Sequence, residues 1–131
     1  MKPVKDVPKY QVIADAMIVA LSKSPLFEYG IPAKVYSYMP SGKPIVGAMD
    51  GAGQDLINSS GCGICVDSGD VTGLANAIKQ LYNMKESDRL KMGNKGFSYY
   101  KQHFDRDKNL GRLEDFVFND IRSIDSEYPD V

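Results

Sequence analysis

One stretch of the sequence combines residue types that could bind an anion or a sugar. It supplies an acid, an aromatic ring, a glycine, an isoleucine, a proline, a lysine and a hydroxyl group: Glu28, Tyr29, Gly30, Ile31, Pro32, Lys34 and Ser37. A helix that begins at Pro32 would offer free backbone N–H groups and the positive end of its dipole to a phosphate. The same residues also fit a plain connection, in which Gly30 and Pro32 shape a turn and Glu28 is solvated.

Within this stretch, Lys34 and Ser37 are three positions apart and would share one face of the helix. Lys34 would add a positive charge, and Ser37 would offer a hydroxyl group. Gly30 would let the backbone approach a ligand closely, because glycine has no side chain. The residue types therefore permit an anion or sugar site without requiring one.

A second candidate is the C-x-x-C pair formed by Cys62 and Cys65. A structural zinc site needs four ligands, and the only histidine is His103, far along the chain. A redox pair would open a helix, whereas this pair opens a short apolar run. We therefore predict small buried thiols that bind no metal and form no functional disulfide. His103 is expected to be a residue at the end of a helix rather than a catalytic base.

Composition indicates a globular protein without an unusual charge. The chain has 131 residues, a net charge of −1 and 43% hydrophobic residues. This length favours one domain, and the charge predicts no nucleic-acid partner, since such a partner selects a basic surface. No apolar run is long enough for a membrane span, and the N-terminus is polar and contains proline, unlike a secretory signal. We expect a cytoplasmic protein whose contact with any membrane would come through partners.

The elements that must hold the candidate loop alternate between strands and helices. Continuous apolar runs predict buried strands at 16–21 and 44–49, and a third at 63–66. Helices are predicted at 7–14, at 32–39 and within 51–61. Three more helices are predicted in the C-terminal half, the first capped by Asp70 and the second by Ser87. The third carries Leu110, Leu113, Val117 and Ile121 on one stripe.

This order predicts an α/β fold with three parallel strands flanked by helices, followed by a helical C-terminal half. The strands are expected in chain order, with the 16–21 strand at one side. Ligands bind outside the carboxyl ends of strands in such sheets, which is where the Glu28 loop begins. Doubly wound sheets usually have five or six strands, so a bare 16–21 edge is expected to pair with further strands or with a second copy of the chain.

An ordered series of motifs resembles a known family. Matching residues are Ile31-Pro32-Ala33-Lys34, Tyr38-Met39, Gly42-Lys43-Pro44-Ile45, Gly61, Gly63, Asp70, Leu74-Ala75 and Ala77-Ile78. From about Val7 to Phe116, the sequence resembles the carboxyl-terminal, donor-binding domain of GT-B fold, family 4 (group 1) glycosyltransferases. The resemblance implies a partial Rossmann-like domain over 1–124 that binds a nucleotide-diphosphate sugar, and a flexible tail at 125–131.

The resemblance also implies roles for the candidate residues. The family's paired glutamates, one for the sugar and one for the ribose, fall on Tyr29 and Ser37. Glu28 would serve the sugar as the catalytic carboxylate after a shift of one residue. Tyr29, Gly30, Ile31, Pro32, Lys34 and Ser37 would bind the donor. Neither a metal nor another cofactor is expected.

In this family the donor domain has further strands, and an acceptor domain precedes it. A missing amino-terminal half or a partner chain is therefore expected to supply them, and this chain alone is expected to be inactive. With those parts, the enzyme would move a sugar to a glycan or lipid-linked acceptor in surface polysaccharide synthesis. The alternatives are a non-catalytic binding or assembly module and a nucleotide-sugar 2-epimerase of the same fold.

Overall fold

The computed structural model describes residues 6–25 and 29–127, with side chains described up to residue 118. In chain order, the first elements are α1 (Val7–Ile13), β1 (Met17–Ala20), α2 (Ala33–Tyr38), a 3-10 turn (Met39–Ser41) and β2 (Ile45–Ala48). They are followed by α3 (Ala52–Ser60), β3 (Gly63–Val66), α4 (Val71–Asn83), α5 (Glu86–His103) and α6 (Arg106–Glu127).

The strands form one parallel sheet in the order β1-β2-β3, as the sequence predicts. Met17 pairs with Ile45 and Ile45 pairs with Gly63, so the apolar runs lie in register. The fold is therefore the predicted α/β class, with three parallel strands, flanking helices and a helical C-terminal half. No helix in the described part of the chain has the length and apolar character that a membrane crossing needs.

The two faces of the sheet carry different amounts of core. Met17, Val19 and Ile45 lie on what we call the covered face, where they pack with residues of α2 and α3 in the main buried cluster. The other face, which we call the open face, is covered over β2 and β3 by α4, through Ala77 and Leu81. Ile18 of β1 belongs to the open face and is 54% exposed.

Helix α5 crosses the amino ends of β2 and β3. Two buried glycines allow this close approach: a Cβ at Gly96 would lie 2.8 Å from the Cβ of Cys62, and a Cβ at Gly93 would overlap the carbonyl oxygen of Gly42. Met92 contacts the open-face cluster, and Tyr100 contacts the covered-face cluster. Helix α5 thus joins the two layers of core.

Three helix boundaries differ from those that the sequence predicts. Pro32 is the N-cap of α2 rather than its first residue, because its ψ of 133° is extended. Helix α5 begins at Glu86 and is preceded by Lys85, so Ser87 is not its cap. Helix α6 continues to Glu127, which is beyond the predicted start of the tail.

Asp70 does cap α4, because its Oδ1 accepts a hydrogen bond of 2.8 Å from the backbone N–H of Gly73. The predicted apolar stripes are only partly buried. On α4, Leu81 is buried whereas Tyr82 is 85% exposed. On α6, Leu110, Leu113 and Val117 are exposed, and the side chain of Ile121 lies outside the described part.

Candidate functional site

The carboxyl ends of the three strands form one edge of the sheet, which we call the carboxyl edge. Pairing continues just beyond the strands, where the N–H of Leu21 donates to the carbonyl of Ala48 over 2.9 Å, and that of Met49 donates to the carbonyl of Val66 over 3.0 Å. In open parallel sheets, ligands bind outside this edge. The loops that follow these strands are therefore the expected location of a ligand site.

Ser68 connects the segments that follow all three strands. Its Oγ donates a hydrogen bond of 2.7 Å to the carbonyl of Leu21, after β1. Its backbone N–H donates over 3.0 Å to Oδ1 of Asp50, after β2. Gln54, in the first turn of α3, donates through Nε2 to Oδ1 of Asp67 over 2.8 Å. These bonds fix the carboxyl edge as a connected surface rather than three independent loops.

The loop before α2 packs against the beginning of α3 through Gly53, which is buried. A Cβ at this position would lie 2.9 Å from Cδ of Pro32 and 2.7 Å from Sδ of Met49. The Pro32 ring has little freedom to move, so only glycine permits this contact. The loop that contains Gly30 and the N-terminal turn of α3 therefore lie side by side.

The first turn of α3 has backbone N–H groups that no side chain caps. Its N-cap is Gly51, with φ of 74°, a conformation that favours glycine. No side-chain cap bond forms there, although the Asp55 N–H donates to the carbonyl of Gly51 over 3.0 Å. Free N–H groups at a helix start can receive an anion.

The loop residues that were predicted to form the site differ in their exposure. Tyr29 is 90% exposed, and Gly30 is exposed as well. Ile31 is half-buried and packs against the main cluster, which anchors the loop to the sheet. Pro32 is half-buried against Gly53. Glu28, the predicted catalytic carboxylate, lies outside the described residues.

Lys34 and Ser37 are both exposed on α2. Ser37 Oγ donates a hydrogen bond of 2.9 Å to the carbonyl of Lys34, so the hydroxyl oxygen remains able to accept. Within the described part of the chain, Lys34 forms no ion pair. Because α2 has six residues, its dipole is that of a very short helix. Helix α3 also begins at this edge, and with nine residues it is longer than α2.

The part of the chain that matches a known protein family includes the carboxyl edge. Residues 1–84, more than half of the chain, match the family model described as "Glycosyl transferases group 1". This chain belongs to the group 1 glycosyltransferases. The matched region contains all three strands and continues through α4. The comparisons with curated proteins and with solved structures return no match.

In this glycosyltransferase-family chain, Cys62 is buried in the core as predicted, whereas Cys65 is only half-buried and packs against the core. Both cysteines are free, and Cys62 is fully buried beside Gly96 of α5. Burial raises the pKa of the Cys62 thiol. Burial is also the largest cause that raises the pKa of the Cys65 thiol to about 11, and the nearby Asp67 and Asp50 carboxylates raise it further. Both thiols are therefore neutral near pH 7, a state that suits packing rather than nucleophilic or ligand chemistry.

His103 is the last residue of α5, as predicted. Its exposed ring lies over Tyr99, with ring centroids 4.3 Å apart. Among the described residues, no cluster of histidine, cysteine, aspartate and glutamate has the arrangement of a metal site. That no metal takes part in the function of this chain stays a prediction.

Sequence reasoning missed the residues that connect the carboxyl edge: Asp50, Gly53, Gln54, Asp67 and Ser68. Two local signals were available. "DGAGQD" follows the second apolar run, and "DSGD" follows the third. Because the carboxyl ends of parallel strands meet at one edge, both segments could have been placed beside the Gly30 loop.

Proposed function

We propose that this chain forms the donor-binding wall of a glycosyltransferase that uses a nucleotide-diphosphate sugar. The sugar would pass to a glycan or lipid-linked acceptor in the synthesis of a surface polysaccharide. The observation that carries the proposal is the Gly53–Pro32 contact, which sets the Gly30 loop beside the start of α3 within the family domain. In open parallel sheets, nucleotide ligands bind outside this edge.

The diphosphate would lie at the first turn of α3. Free N–H groups there stabilise negative charge, and the helix dipole adds to the effect. Lys34 would supply a positive side chain from α2. In transfer, negative charge develops on the leaving diphosphate, and fixed donors of this kind stabilise it. The proposal includes no metal and no other cofactor.

The sugar and ribose would contact the loop and α2. Ser37 Oγ can accept one hydrogen bond from a ribose hydroxyl while it donates to the carbonyl of Lys34. Gly30 and Ile31 would contact the donor through their backbone, and Tyr29 has an exposed ring to place against it. Glu28 is proposed as the carboxylate that faces the sugar.

Titration of nucleoside diphosphates and their sugar derivatives, followed by NMR, tests the site. We expect a Kd of about 1 mM, equivalent to about −4 kcal/mol. The amides of Gly30 and of residues 51–54 should shift most. Lys34→Ala should weaken binding severalfold. The matched control is Lys79→Ala, which removes an exposed lysine from α4. Equal affinity in the two variants, or shifts confined to α5, would place the site elsewhere.

Ser37 offers a gain-of-binding test. A carboxylate accepts several hydrogen bonds, whereas the hydroxyl group accepts with one oxygen. Ser37→Glu should therefore bind the nucleotide more tightly, by about tenfold, since a hydrogen bond to a charged group contributes about 1.5–3 kcal/mol. Ser37→Ala should change affinity about twofold or less, because it removes a single exposed acceptor. A weaker-binding Ser37→Glu variant would contradict the ribose role.

A non-catalytic binding module is the second candidate, and Ser37 favours it, because the ribose position lacks a carboxylate. Transfer needs donor and acceptor in reactive geometry, and such positioning supplies roughly 7–11 kcal/mol of the barrier. An assay of sugar transfer with lipid-linked acceptors separates the candidates. Donor binding without turnover, in the presence of every protein that co-purifies, would support the module.

A further inference from the structure

Ser68 occupies a well-defined turn between β3 and α4. The N–H of Asp70 donates to the carbonyl of Asp67 over 3.1 Å, and Gly69, the third residue of the turn, has a φ of 85°. These are features of a type II turn, in which the third residue needs a positive φ. Asp70 also caps α4 through the N–H of Gly73. Because the turn is fixed at both ends, the direction of the Ser68 side chain is fixed as well.

From this turn, Ser68 reaches across the middle strand of the sheet. The strand order is β1-β2-β3, and neighbouring strands lie about 4.8 Å apart, so β1 and β3 are about 10 Å apart. The Ser68 Oγ nevertheless donates a hydrogen bond of 2.7 Å to the carbonyl of Leu21, which follows β1. The turn after β3 therefore passes over the carboxyl end of β2 and contacts the segment that leaves β1.

The two hydrogen bonds of Ser68 hold two different segments of the candidate site. Leu21 begins the segment that leads from β1 to the Gly30 loop. Asp50, whose Oδ1 accepts from the Ser68 N–H over 3.0 Å, directly precedes Gly51, the N-cap of α3. Ser68 therefore fixes the start of the Gly30 loop and the start of α3 relative to each other.

These bonds use both hydrogen-bond donors of Ser68. Its hydroxyl proton bonds to the carbonyl of Leu21, and its backbone N–H bonds to Asp50. The ionised oxygens of a diphosphate only accept hydrogen bonds, so Ser68 has no donor left for them. An effect of this residue on donor binding would therefore pass through the two segments that it holds.

We propose that Ser68 is a positioning residue of the donor site, and that its two bonds set the spacing between the Gly30 loop and the first turn of α3. This role rests on the proposed donor-binding function. Binding costs free energy when it must order a loop, and a loop that is ordered beforehand avoids this cost. The half-buried bond to Leu21 orders the segment that leaves β1 before the donor arrives. Loss of that bond should therefore weaken donor binding.

NMR of the ligand-free chain tests whether Ser68 connects the two segments. Ser68→Ala removes the bond to Leu21 and keeps the backbone N–H. The amide of Ser22 shares a peptide group with the Leu21 carbonyl and should shift. The amides of Gly30 and Gly51 should shift as well, because the turn is then held from one side only. Ser68→Thr keeps the hydroxyl group and should keep the wild-type shifts, whereas Ser68→Ala shifts confined to the sequence neighbours of Ser68 would overturn the connection.

Titration of uridine diphosphate and guanosine diphosphate, followed by NMR, tests the effect on affinity. Ser68→Ala should raise the Kd by about fivefold, which is equivalent to one hydrogen bond of about 1 kcal/mol. Ser68→Thr should have the wild-type Kd, since it keeps the hydroxyl group. The matched control is Ser60→Ala, which should not change the Kd. Ser60 is also half-buried, and its Oγ donates over 3.3 Å to the carbonyl of Ile57 near the opposite end of α3.

The second bond of Ser68 provides an independent pair of variants. Asp50→Asn and Asp50→Ala both remove the negative charge, but only asparagine keeps an oxygen that can accept from the Ser68 N–H. Asp50→Ala should therefore bind the same diphosphate about fivefold more weakly than Asp50→Asn. Equal affinity in this pair would overturn the contribution of the second bond.

The possible outcomes separate the role of Ser68 from the donor site itself. A wild-type chain that binds neither diphosphate would reject the donor site, and with it the effect of Ser68 on affinity. A wild-type chain that binds, together with equal affinity in Ser68→Ala, would reject the positioning role alone. Weaker binding by both Ser68→Ala and Ser68→Thr would assign the loss to the packing of the turn and would also reject the role of the hydroxyl group.

Discussion

The two faces of the sheet differ in how many helices cover them, and this difference explains both the stability and the open surfaces of the molecule. Among the described residues, the covered face has a cluster of nine buried residues and the open face has three, so most of this core lies on one side. Helices α2 and α3, which connect the strands, both pack on the covered face. On the open face, α4 packs over β2 and β3, and α5 contributes Met92.

In this parallel sheet, apolar side chains are buried only where a helix covers the face that carries them. On the covered face, Ile45 and Ile57 are fully buried. On the open face, Ile18 and Ile78 are equally apolar but stay 54% and 42% exposed. Residue type is therefore the same on both faces, and the position of the nearest helix decides burial.

The largest expected difference comes from matched isoleucines. Ile57→Ala on the covered face should lower the free energy of unfolding by about 2–5 kcal/mol, because it leaves a cavity. Ile78→Ala on the open face should lower it by only about 1 kcal/mol, since the residue is already 42% exposed. Urea denaturation measures both. Similar losses would contradict the difference in exposure between Ile57 and Ile78.

Gly93 and Gly111 provide the second comparison. A methyl group at Gly93 would overlap the backbone at Gly42, so Gly93→Ala should cost about 1–3 kcal/mol or more and loosen α5 from the strand ends. Nothing lies near a Cβ at Gly111 in α6, so Gly111→Ala should stabilise that helix by about 0.5–1 kcal/mol. Thermal unfolding measures both effects. Destabilisation by Gly111→Ala would mean that α6 packs against another surface.

The two cysteines test the packing of the covered face. Replacing both by alanine should lower the free energy of unfolding by about 1–2 kcal/mol, through lost buried volume. In the wild type, thiol alkylation should be slow at pH 8 and should accelerate toward pH 11, the region of the raised Cys65 pKa.

The pKa of Cys65 also sets the sign of a pH dependence. The unfolded thiol, with a pKa of about 8.5, loses its proton first. Stability should therefore be complete below that pH and should fall as pH rises from there to about 11. Denaturation at several pH values, in the wild type and in Cys65→Ala, checks this. An identical decline in both proteins would assign it to other groups.

The smallest expected change in stability concerns Asp70 and Ser87, the two residues that the sequence predicts as helix caps. Asp70→Ala should cost about 1 kcal/mol, because the bond to the Gly73 N–H is lost. Ser87→Ala should be close to neutral, because Ser87 lies within α5 and its side chain is not the cap. Denaturant midpoints of the two variants provide the measurement. A larger loss at Ser87 would mean that α5 begins later in solution.

Much of the fold could be predicted because its signals are local. The apolar runs identified β1, β2 and β3, and their order in the sheet followed from the alternation with helices. Asp70 was recognised as a cap from residue type and position. Ser87 has an equally suitable residue type, but Lys85 precedes the first turn, and residue type alone could not choose between them.

The candidate site was predicted in part. The Gly30 loop was placed at the carboxyl edge, because the loop follows β1 directly along the chain. The role of Gly53 could not be predicted, since it depends on the distance between α3 and Pro32. The bonds from Ser68 to Leu21 and Asp50 likewise join segments that are far apart in sequence.

The sequence by itself determined the α/β class, the strand positions and the membership in a glycosyltransferase family, because periodicity, turn residues and ordered motifs are properties of neighbouring positions. Only the tertiary structure decided which apolar residues are buried and which glycines admit a close contact. Those properties depend on helices that approach from distant parts of the chain. Ile18 and Val19 are adjacent apolar residues in one strand, yet Val19 is buried under the covered face and Ile18 faces the open groove.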